Sequence, residues 1–459
     1  MDRVRFETLG CKLNQIETES LARAFRDAGF AIDGAEREIE EGSESFVYLP
    51  VGIRLDLLNP ADHPILSVVN TCTVTGKAEQ KARRLIRALL RAWPDSPVLV
   101  TGCYAEVERE TIASIDPRVI AFPGSRKNEL AELPAVLASR LEKNPAERVL
   151  DIVSGFAASP TRAATPFRLS TDDFLFHSRA SVKIQDGCDN RCAYCRIRLA
   201  RGPSVSLPSD EVIARVRDIE RAGWAEVVLT GVNLSHYRSG GGDFATLLAR
   251  ALAETESLAF RISSLYPERV DDELLPILSH PRVRPHFHLS IQSGSDRVLA
   301  AMRRPYSASV VRDAIAALRT AKDDPFIACD LIAGFPGETD GDFRETLELA
   351  RESRFAWIHS FPFSPRPGTE AWSMRPRVPE RVARERVASL AELAGEGLRA
   401  YKNAWIGRRV AAVVERGGTD GSRVLTENYL TLAIRGGSRK PGESVRVRIL
   451  DPETAELEN

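Results

Sequence analysis

The chain has 459 residues, of which 43% are hydrophobic and 28% charged, and its formal net charge is −1 at pH 7. This composition is typical of a globular protein with buried cores, and the length is enough for roughly two to four domains. The near-neutral charge excludes a polyanion-binding surface over the whole molecule, so any nucleic-acid surface must be local. No apolar run approaches ~18 residues and the amino terminus lacks the apolar core of a signal peptide, so we expect a cytoplasmic protein with no membrane contact.

The first third of the chain alternates strand and helix patterns. Strands are predicted at 4–10, 65–71, 97–102 and 118–124. Helices are predicted at 14–29, 76–92 and 105–115. This alternation predicts a parallel sheet with helices on both faces, within an amino-terminal domain that we place at 1–145. Residues 36–64 do not fit the alternation and are interpreted as an insertion of unknown role.

A segment rich in Ala, Ser, Thr and Pro follows, and we interpret 146–178 as a linker. A second alternating series has strands predicted at 181–186, 226–230, 260–264, 286–291, 326–332 and 357–362. Helices are predicted between them, at 209–222, 243–253, 271–279, 307–320 and 338–352. Six such units predict an open (β/α)6 barrel over 179–395, whose chemistry lies at the carboxyl ends of the strands.

The carboxyl-terminal segment changes character after a helix predicted at 380–403. Short β-rich runs separated by Gly-rich turns predict a small all-β barrel over 396–459. The expected fold class is therefore α/β, with a parallel-sheet domain, a central open barrel and a small β-barrel. In 402–448, ten Lys and Arg oppose four Asp and Glu, which favours contact with an RNA backbone. Tyr429 either stacks on a base or fills the core of this barrel.

Cys188, Cys192 and Cys195 form a C-x3-C-x2-C triplet directly after a predicted strand. Thiolates are soft ligands for iron and zinc, and a reducing compartment does not favour disulfides. Structural zinc takes four ligands, whereas three thiolates on a four-iron cluster leave one iron open. Tyr194, beside the last cysteine, is suited to pack against a planar ligand. A zinc knuckle or a chance grouping of core cysteines is the alternative.

Cys11, Cys72 and Cys103 each lie within two residues of the carboxyl end of a predicted strand. In open α/β sheets, ligand sites gather at that edge, so cysteines distant in sequence can meet there. We predict a second three-thiolate site with an open iron. Buried structural thiols are the alternative for each cysteine taken singly.

The triplet and Tyr194 resemble the C-x3-C-x-aromatic-C signature of the radical S-adenosylmethionine superfamily. "TLGCKLNQIETE", "VVNTCTVTGKAEQKAR", "TGCYAE", "KIQDGCDNRCAYC" and "HLSIQSGSDRVLAAMRRPYS" further resemble its methylthiotransferase family, including a carboxyl-terminal RNA-binding barrel of the TRAM type. The resemblance implies two 4Fe–4S clusters. Cys188, Cys192 and Cys195 would hold the one that binds S-adenosylmethionine, and Cys11, Cys72 and Cys103 the auxiliary cluster that stages the sulfur. It also implies an electron donor such as flavodoxin or ferredoxin.

The same resemblance implies contacts to S-adenosylmethionine from residues near the ends of the barrel strands. Besides Tyr194, these are Thr230, Gly231, Ser290, Gln292, Arg303, Ile332 and Gly334. Their positions suit ligand contact at a barrel mouth. The alternative for each is that it shapes a turn or fills the core.

The sequence around Cys11 resembles the subgroup that acts on N6-threonylcarbamoyladenosine 37, beside the anticodon of tRNA. The implied product carries a methylthio group at C2, and the implied partner is the anticodon stem-loop. The alternatives are isopentenyladenosine in tRNA, an aspartate of a ribosomal protein, or a non-catalytic metal-containing RNA-binding protein. A local basic surface is offered by the helix predicted at 76–92, although a solvated face explains its charges equally well. Those charges are Lys77, Lys81, Arg83, Arg84, Arg87 and Arg91.

Overall fold

The computed structural model describes residues 1–34, 63–161, 166–171, 174–415, 423–435 and 439–458. Nearly all of the insertion predicted at 36–64 therefore lies outside the described residues. The chain divides into two compact units. The first unit comprises Met1–Phe176, Asp186–Cys188 and Arg196–Val205, and the second comprises His177–Gln185, Asp189–Cys195 and Ser206–Asn459. The domain boundaries given above remain predictions.

The first unit contains a five-stranded parallel sheet in the order β2-β1-β3-β4-β5. Its strands are β1 (Arg3–Thr8), β2 (Ala31–Gly34), β3 (Leu66–Thr71), β4 (Val98–Gly102) and β5 (Val119–Ala121). All four predicted strands are present. The edge strand β2 was not predicted, because its four half-buried residues carry no clear apolar alternation.

Helices cover both faces of this sheet, as the alternation predicts. The helices of the first unit are α1 (Lys12–Asp27), α2 (Gly76–Ala92), α3 (Cys103–Val107), α4 (Arg109–Ala113), α5 (Leu133–Lys143), α6 (Val149–Ala158) and α7 (Ile197–Arg201), with a 3-10 helix at Gly124–Glu132. Phe25 of α1 packs with Phe6 on one face, whereas Leu85 of α2 packs with Val69 on the other. The helix predicted at 105–115 is divided into α3 and α4 at Glu108, whose φ of −136° is not helical.

Helix α6 lies inside the segment predicted as a linker. Its buried residues Ile152, Val153 and Phe156 belong to the same core as Phe122, whose ring stacks on Phe156 at 6.1 Å. Val149 and Leu150 of the same helix also pack against this core, although they are only partly buried. The Ala- and Ser-rich composition of the surrounding segment hid this helix. The first part of the predicted linker is thus packed structure.

The second unit contains the six predicted barrel strands as two three-stranded parallel sheets, in the orders β6-β9-β10 and β11-β12-β13. They are β6 (Ala180–Lys183), β9 (Glu226–Thr230), β10 (Ala259–Ile262), β11 (His286–Gln292), β12 (Phe326–Ala333) and β13 (Trp357–Pro362). Two-residue strands also occur: β7 (Gln185–Asp186) and β8 (Val205–Ser206). A parallel bridge between Leu265 and Leu289 joins the two sheets, which gives an open barrel.

Helices alternate with these strands. They are α8 (Ser209–Arg221), α9 (Phe244–Ala253), α10 (Leu275–Leu278), α11 (Asp296–Ala301), α12 (Ala308–Ala321), α13 (Asp340–Ser353) and α14 (Glu380–Ala404), with 3-10 turns at Leu234–His236, Pro267–Arg269 and Glu370–Trp372. The helix predicted at 271–279 shortens to α10. None of the described helices is both long and apolar enough to cross a membrane.

The carboxyl-terminal strands close into the predicted small barrel, in the order β14-β15-β16-β18-β17. They are β14 (Arg409–Val414), β15 (Arg423–Thr426), β16 (Thr431–Arg435), β17 (Ser444–Ile449) and β18 (Thr454–Leu457). Tyr401 of α14 donates from its hydroxyl to Asp324 O at 2.9 Å, so the helix leading into this barrel is fixed to the central one. The α/β fold class with a terminal β-barrel is confirmed.

Candidate functional site

The loop after β1 brings Cys11 against Cys72. Gly10, with φ +138°, precedes Cys11, and a Cβ placed on Gly10 would lie 2.9 Å from the Cys72 Cβ. Only glycine permits so close an approach of the two loops. Cys11 itself is the N-cap residue of α1, so its sulfur lies at the start of that helix.

The loop after β4 brings Cys103 to the same edge. Gly102 has φ +93°, and a Cβ there would lie 2.4 Å from both Asn70 Oδ1 and Thr71 O, directly before Cys72. The strands β1, β3 and β4 are neighbours, so their three terminal cysteines gather at one edge of the sheet. Cys72 and Cys103 are buried, and Cys11 is half-buried.

Two buried asparagines fix the spacing of these loops. Asn14 Nδ2 donates to Asn70 Oδ1 at 3.1 Å and to Thr71 O at 3.0 Å. Asn70 Nδ2 returns a bond to Asn14 O at 3.0 Å. Cys11 Sγ lies 3.6 Å from Asn14 Oδ1, so the first cysteine is held by the same pair. Because buried amides must be satisfied, this network makes the edge rigid.

Electrostatics also link the three thiols. Burial raises the pKa of Cys72, and the nearby Cys103 and Cys11 sulfurs raise it further. Burial likewise raises the pKa of Cys11, although the guanidinium of Arg201 opposes that shift. Three neighbouring sulfurs that would repel one another as thiolates suit a metal centre, which deprotonates coordinating thiols.

The donor set at this edge consists of three thiols, which are soft ligands for iron and zinc. Structural zinc takes four ligands, whereas three thiolates on a four-iron cluster leave one iron open. Three thiols at one edge therefore fit an iron–sulfur cluster.

A buried ionic network borders this edge within the first unit. Arg201 donates to Asn14 Oδ1 at 2.7 Å, to Asp186 Oδ1 at 2.9 Å and to Glu17 Oε1 at 3.1 Å. Lys127 Nζ lies 2.6 Å from the same Glu17 oxygen. Arg201 was not predicted from the sequence, because its partners lie far away in the chain. The available signal was that Asn14 and Glu17 are polar residues one helical turn apart, directly after Cys11, which indicates a buried polar partner.

The cysteine triplet belongs to both units. Cys188, in the first unit, is buried, and its N–H donates to Gly202 O at 3.1 Å. Cys192 and Cys195, in the second unit, are half-buried, and Cys195 N–H donates to Cys192 O at 3.1 Å. It remains a prediction that Cys188, Cys192 and Cys195 hold one cluster.

Arg304 is a buried cation beside Cys192. It donates to Cys192 Sγ at 3.4 Å, to Ser290 O at 2.7 Å and to Tyr306 Oη at 2.7 Å. Its guanidinium also lies 4.3 Å from the ring centre of Tyr266. Of the two adjacent arginines in "MRRPY", the resemblance pointed to Arg303 as the contact to S-adenosylmethionine, whereas Arg304 is the one beside Cys192.

Arg303 has different surroundings. Its side chain is half-exposed, and it forms an ion pair with Glu370 at 2.7 Å. Its backbone is left-handed, with φ 58°. The chain therefore turns at Arg303 so that Arg304, and not Arg303, enters the interior beside Cys192.

The other predicted contacts lie at the carboxyl ends of barrel strands. Thr230 ends β9 and Gly231 follows it; Gln292 ends β11 with φ 77°, which is rare outside glycine. Ser290 Oγ lies 3.0 Å from Ser264 Oγ. Such strained positions concentrate at ligand sites, which is compatible with the predicted role.

Tyr194, Ile332 and Gly334 complete the predicted set. Tyr194 and Ile332 pack against the same apolar cluster, which includes Met302 and Phe335. The N–H of Gly334 donates to Glu338 Oε2 at 2.6 Å, so this glycine also shapes the turn after β12. All of the predicted contacts to S-adenosylmethionine remain predictions. The structure does pack Tyr194 and Ile332 against one apolar cluster.

Comparison with known proteins identifies the chain. Residues 182–350 match the model of the Radical SAM superfamily, and 55–124 match that of the Uncharacterized protein family UPF0004. A Treponema pallidum protein named threonylcarbamoyladenosine tRNA methylthiotransferase MtaB is 46% identical, over 98% of each chain. The Bacillus subtilis protein of the same name is 33% identical, over 98% of this chain and 94% of its own. This chain belongs to the radical S-adenosylmethionine methylthiotransferase family.

The methylthiotransferase is therefore an enzyme that uses S-adenosylmethionine and iron–sulfur chemistry, which excludes the non-catalytic alternative. A Cereibacter sphaeroides protein named tRNA-2-methylthio-N(6)-dimethylallyladenosine synthase is also similar, with 31% identity over 96% of this chain and 94% of its own. Among solved structures, the radical methyltransferase TsrM from Kitasatospora setae aligns with a TM-score of 0.51 over 81% of this chain and 77% of its own, at 15% identity. That likeness concerns the fold alone.

Tyr429 of the methylthiotransferase packs against the central barrel. It is half-buried, and its ring stacks on His286 at 4.2 Å. Arg261 lies over the same ring, 4.9 Å from its centre, and Arg179 lies 5.6 Å away. The terminal β-barrel is thus attached through Tyr429 to the central barrel, and these contacts give the tyrosine a structural role.

Proposed function

We propose that this methylthiotransferase adds a methylthio group to C2 of N6-threonylcarbamoyladenosine 37 in tRNA, with two 4Fe–4S clusters. The observation that carries the proposal is the gathering of Cys11, Cys72 and Cys103 at the ends of three adjacent strands. A second set of three cysteines, in the radical signature, is available for the other cluster. The substrate assignment is supported by the names of the relatives that are 46% and 33% identical.

The residues have separate tasks in this proposal. Cys11, Cys72 and Cys103 hold the auxiliary cluster, and the triplet at 188–195 holds the cluster that binds S-adenosylmethionine. When bound, the clusters and two molecules of S-adenosylmethionine supply the radical, the sulfur and the methyl group, with an electron from flavodoxin or ferredoxin.

The protein contributes position and a dry environment. Asn14 and Asn70 fix the auxiliary loops, and burial of Cys72 and Cys103 keeps water from them. Arg304 offers a desolvated positive charge to the carboxylate of S-adenosylmethionine. Tyr194 and Ile332 offer it an apolar wall. Such fixed positioning is the main means by which a protein directs reactive cofactors.

The substrate is tested by comparing tRNA nucleosides from a deletion strain with those of the same strain carrying the gene. We expect deletion to remove methylthio-threonylcarbamoyladenosine and the gene to restore it. Mass spectrometry of digested tRNA measures both. Loss of methylthio-isopentenyladenosine, or no change in any tRNA nucleoside, would contradict the substrate assignment.

The cluster assignment is tested by iron analysis after anaerobic reconstitution. We expect about eight irons per wild-type chain and about four in Cys11→Ala/Cys72→Ala/Cys103→Ala. This variant should still release 5′-deoxyadenosine from S-adenosylmethionine but transfer no methylthio group. Cys329→Ala, which removes a thiol buried inside β12, is the matched control and should keep about eight irons. Equal iron in all three proteins would refute the auxiliary site.

A further inference from the structure

Helix α2 presents a line of exposed cations, which we term the cationic stripe: Lys77, Arg84, Arg87 and Arg91. Their spacings of seven, three and four residues place them on one face of an α-helix. At 1.5 Å per residue the stripe is about 21 Å long. Gln80 is the exposed residue that fills the gap in this face.

The orientation of the stripe is fixed by the opposite face of α2. Ala82, Leu85, Ile86 and Leu89 are fully buried in the core beneath the sheet, with Val100. A helix anchored by so many apolar residues does not rotate about its axis. The cations therefore remain on the surface of the first unit.

No carboxylate of α2 neutralises the stripe. The one acidic residue of this helix, Glu79, is buried, and it accepts from Thr73 Oγ1 at 2.5 Å and from Arg196 Nη1 at 3.4 Å. Within the described parts of the chain, the four cations of the stripe form neither an ion pair nor a side-chain hydrogen bond.

On another helix of the same protein, exposed arginines are paired with carboxylates. On α14, Arg381 pairs with Glu385 and Arg384 with Glu380, each at i,i+4 spacing. On α2, by contrast, Arg84, Arg87 and Arg91 are like-charge neighbours at i,i+3 and i,i+4, an arrangement that destabilises a helix. An unneutralised line of charge on a chain whose net charge is −1 indicates an external anionic partner.

We propose that the cationic stripe binds the phosphate backbone of tRNA. This inference rests on the proposed function, because α2 begins only four residues after Cys72, at the edge where the sulfur-bearing cluster is proposed. A tRNA whose modified base reaches that edge carries its backbone over the neighbouring surface. Three of the four cations are arginines, whose planar donors match phosphate oxygens. Such contacts orient the RNA but read no base.

The test is tRNA binding by the reconstituted holoenzyme and its variant Arg84→Gln/Arg87→Gln/Arg91→Gln at several salt concentrations. Each lost phosphate contact lowers the slope of log affinity against log salt by about 0.7–0.9, so we expect the slope to fall by about 2. At low salt, affinity should fall at least tenfold. Cleavage of S-adenosylmethionine without tRNA should be unchanged, because these three side chains lie on the exposed face of α2.

The matched control is Arg221→Gln/Arg381→Gln/Arg384→Gln. It removes the same number of positive charges, but each of these arginines is paired with a carboxylate of its own helix. It should keep the wild-type slope. If both variants lower the slope equally, net charge rather than the stripe is responsible, and the inference fails.

The remaining outcomes separate the inference from the proposed function. Wild-type enzyme that binds no tRNA at any salt concentration would overturn the proposed function itself. Salt-dependent binding that the stripe variant retains in full would overturn the inference alone. If the variant binds tRNA normally but turns over only with a chemical reductant and not with flavodoxin, the stripe docks an acidic protein, which also overturns the inference.

Discussion

Two buried arginines in the second unit have opposite surroundings. Arg261 lies at the floor of the central barrel, near the amino-terminal ends of β9 and β11, and Arg304 lies beside Cys192. Both guanidinium groups are almost completely buried, and each lies over a tyrosine ring. Arg261 donates to Glu226 at 2.7 Å and 3.0 Å, whereas among the described residues no carboxylate forms an ion pair with Arg304.

The presence of a carboxylate partner distinguishes a structural arginine from one whose charge is available to a ligand. A buried charge is expensive unless it is paired, so the floor arginine, with its carboxylate, is a complete structural element. It also donates to Thr426 O at 3.3 Å and so attaches the terminal barrel. Among the described residues, Arg304 donates to carbonyl, hydroxyl and thiol groups, and the carboxylates that feel its charge, Glu268 and Asp330, form no ion pair with it. In the proposed function, its charge serves the carboxylate of S-adenosylmethionine.

The largest effect is expected from Arg304→Met. Removing one partner of a desolvated charged contact costs about 4 kcal/mol, so release of 5′-deoxyadenosine should fall by about a thousandfold. The free energy of unfolding should change by only about 1 kcal/mol, because no buried carboxylate is left alone. Arg312→Gln is the matched control, since it removes a half-exposed ion pair with Glu352 and should change the rate less than about twofold. Equal losses in both variants would show that the loss of a charge, and not the position of Arg304, is responsible.

A somewhat smaller effect, on stability instead of rate, is expected from Arg261→Met. Glu226 would keep Arg284 at 2.9 Å but lose its bidentate partner, which should lower the free energy of unfolding by about 3 kcal/mol. Urea denaturation measures this change. Cleavage of S-adenosylmethionine per folded molecule should be unchanged. A large loss of cleavage with unchanged stability would show that the floor arginine serves the reaction.

The smallest effect is expected in the pH dependence of the free energy of unfolding, through Glu226 beside Arg261. Burial alone would raise the pKa of Glu226, but the charges of Arg261 and Arg284 lower the pKa to about 2. Since this is below the unfolded value of about 4.3, the stabilisation is present above about pH 5 and is lost as the pH falls towards 2. The stability difference between wild type and Glu226→Gln should therefore shrink by about 2 kcal/mol from pH 5 to pH 3. A pH-independent difference would mean that Glu226 is not held ionised by these arginines.

The sequence was sufficient to predict that Cys11, Cys72 and Cys103 lie at one edge of the sheet. The strands before Cys11, Cys72 and Cys103 are apolar runs with clear ends, and parallel strands must align their carboxyl ends. The positions of Asn14 and Arg201 could not be predicted, because their partners at Asn70 and Asp186 are distant in the chain. Helix α6 was missed for a related reason: its few apolar residues have meaning only against the core that receives them.

The sequence by itself determined the α/β architecture, the two sets of three cysteines and the family, because periodicity and motif spacing are local properties. It also determined the charges of α2, since the composition of one helix needs no fold. Only the tertiary structure decided which of two adjacent arginines is buried beside Cys192, and that Tyr429 packs against His286 and Arg261. It alone decided that the face of α2 that carries the four cations is exposed. Burial and pairing depend on residues brought together from distant parts of the chain, and the order of residues does not record that arrangement.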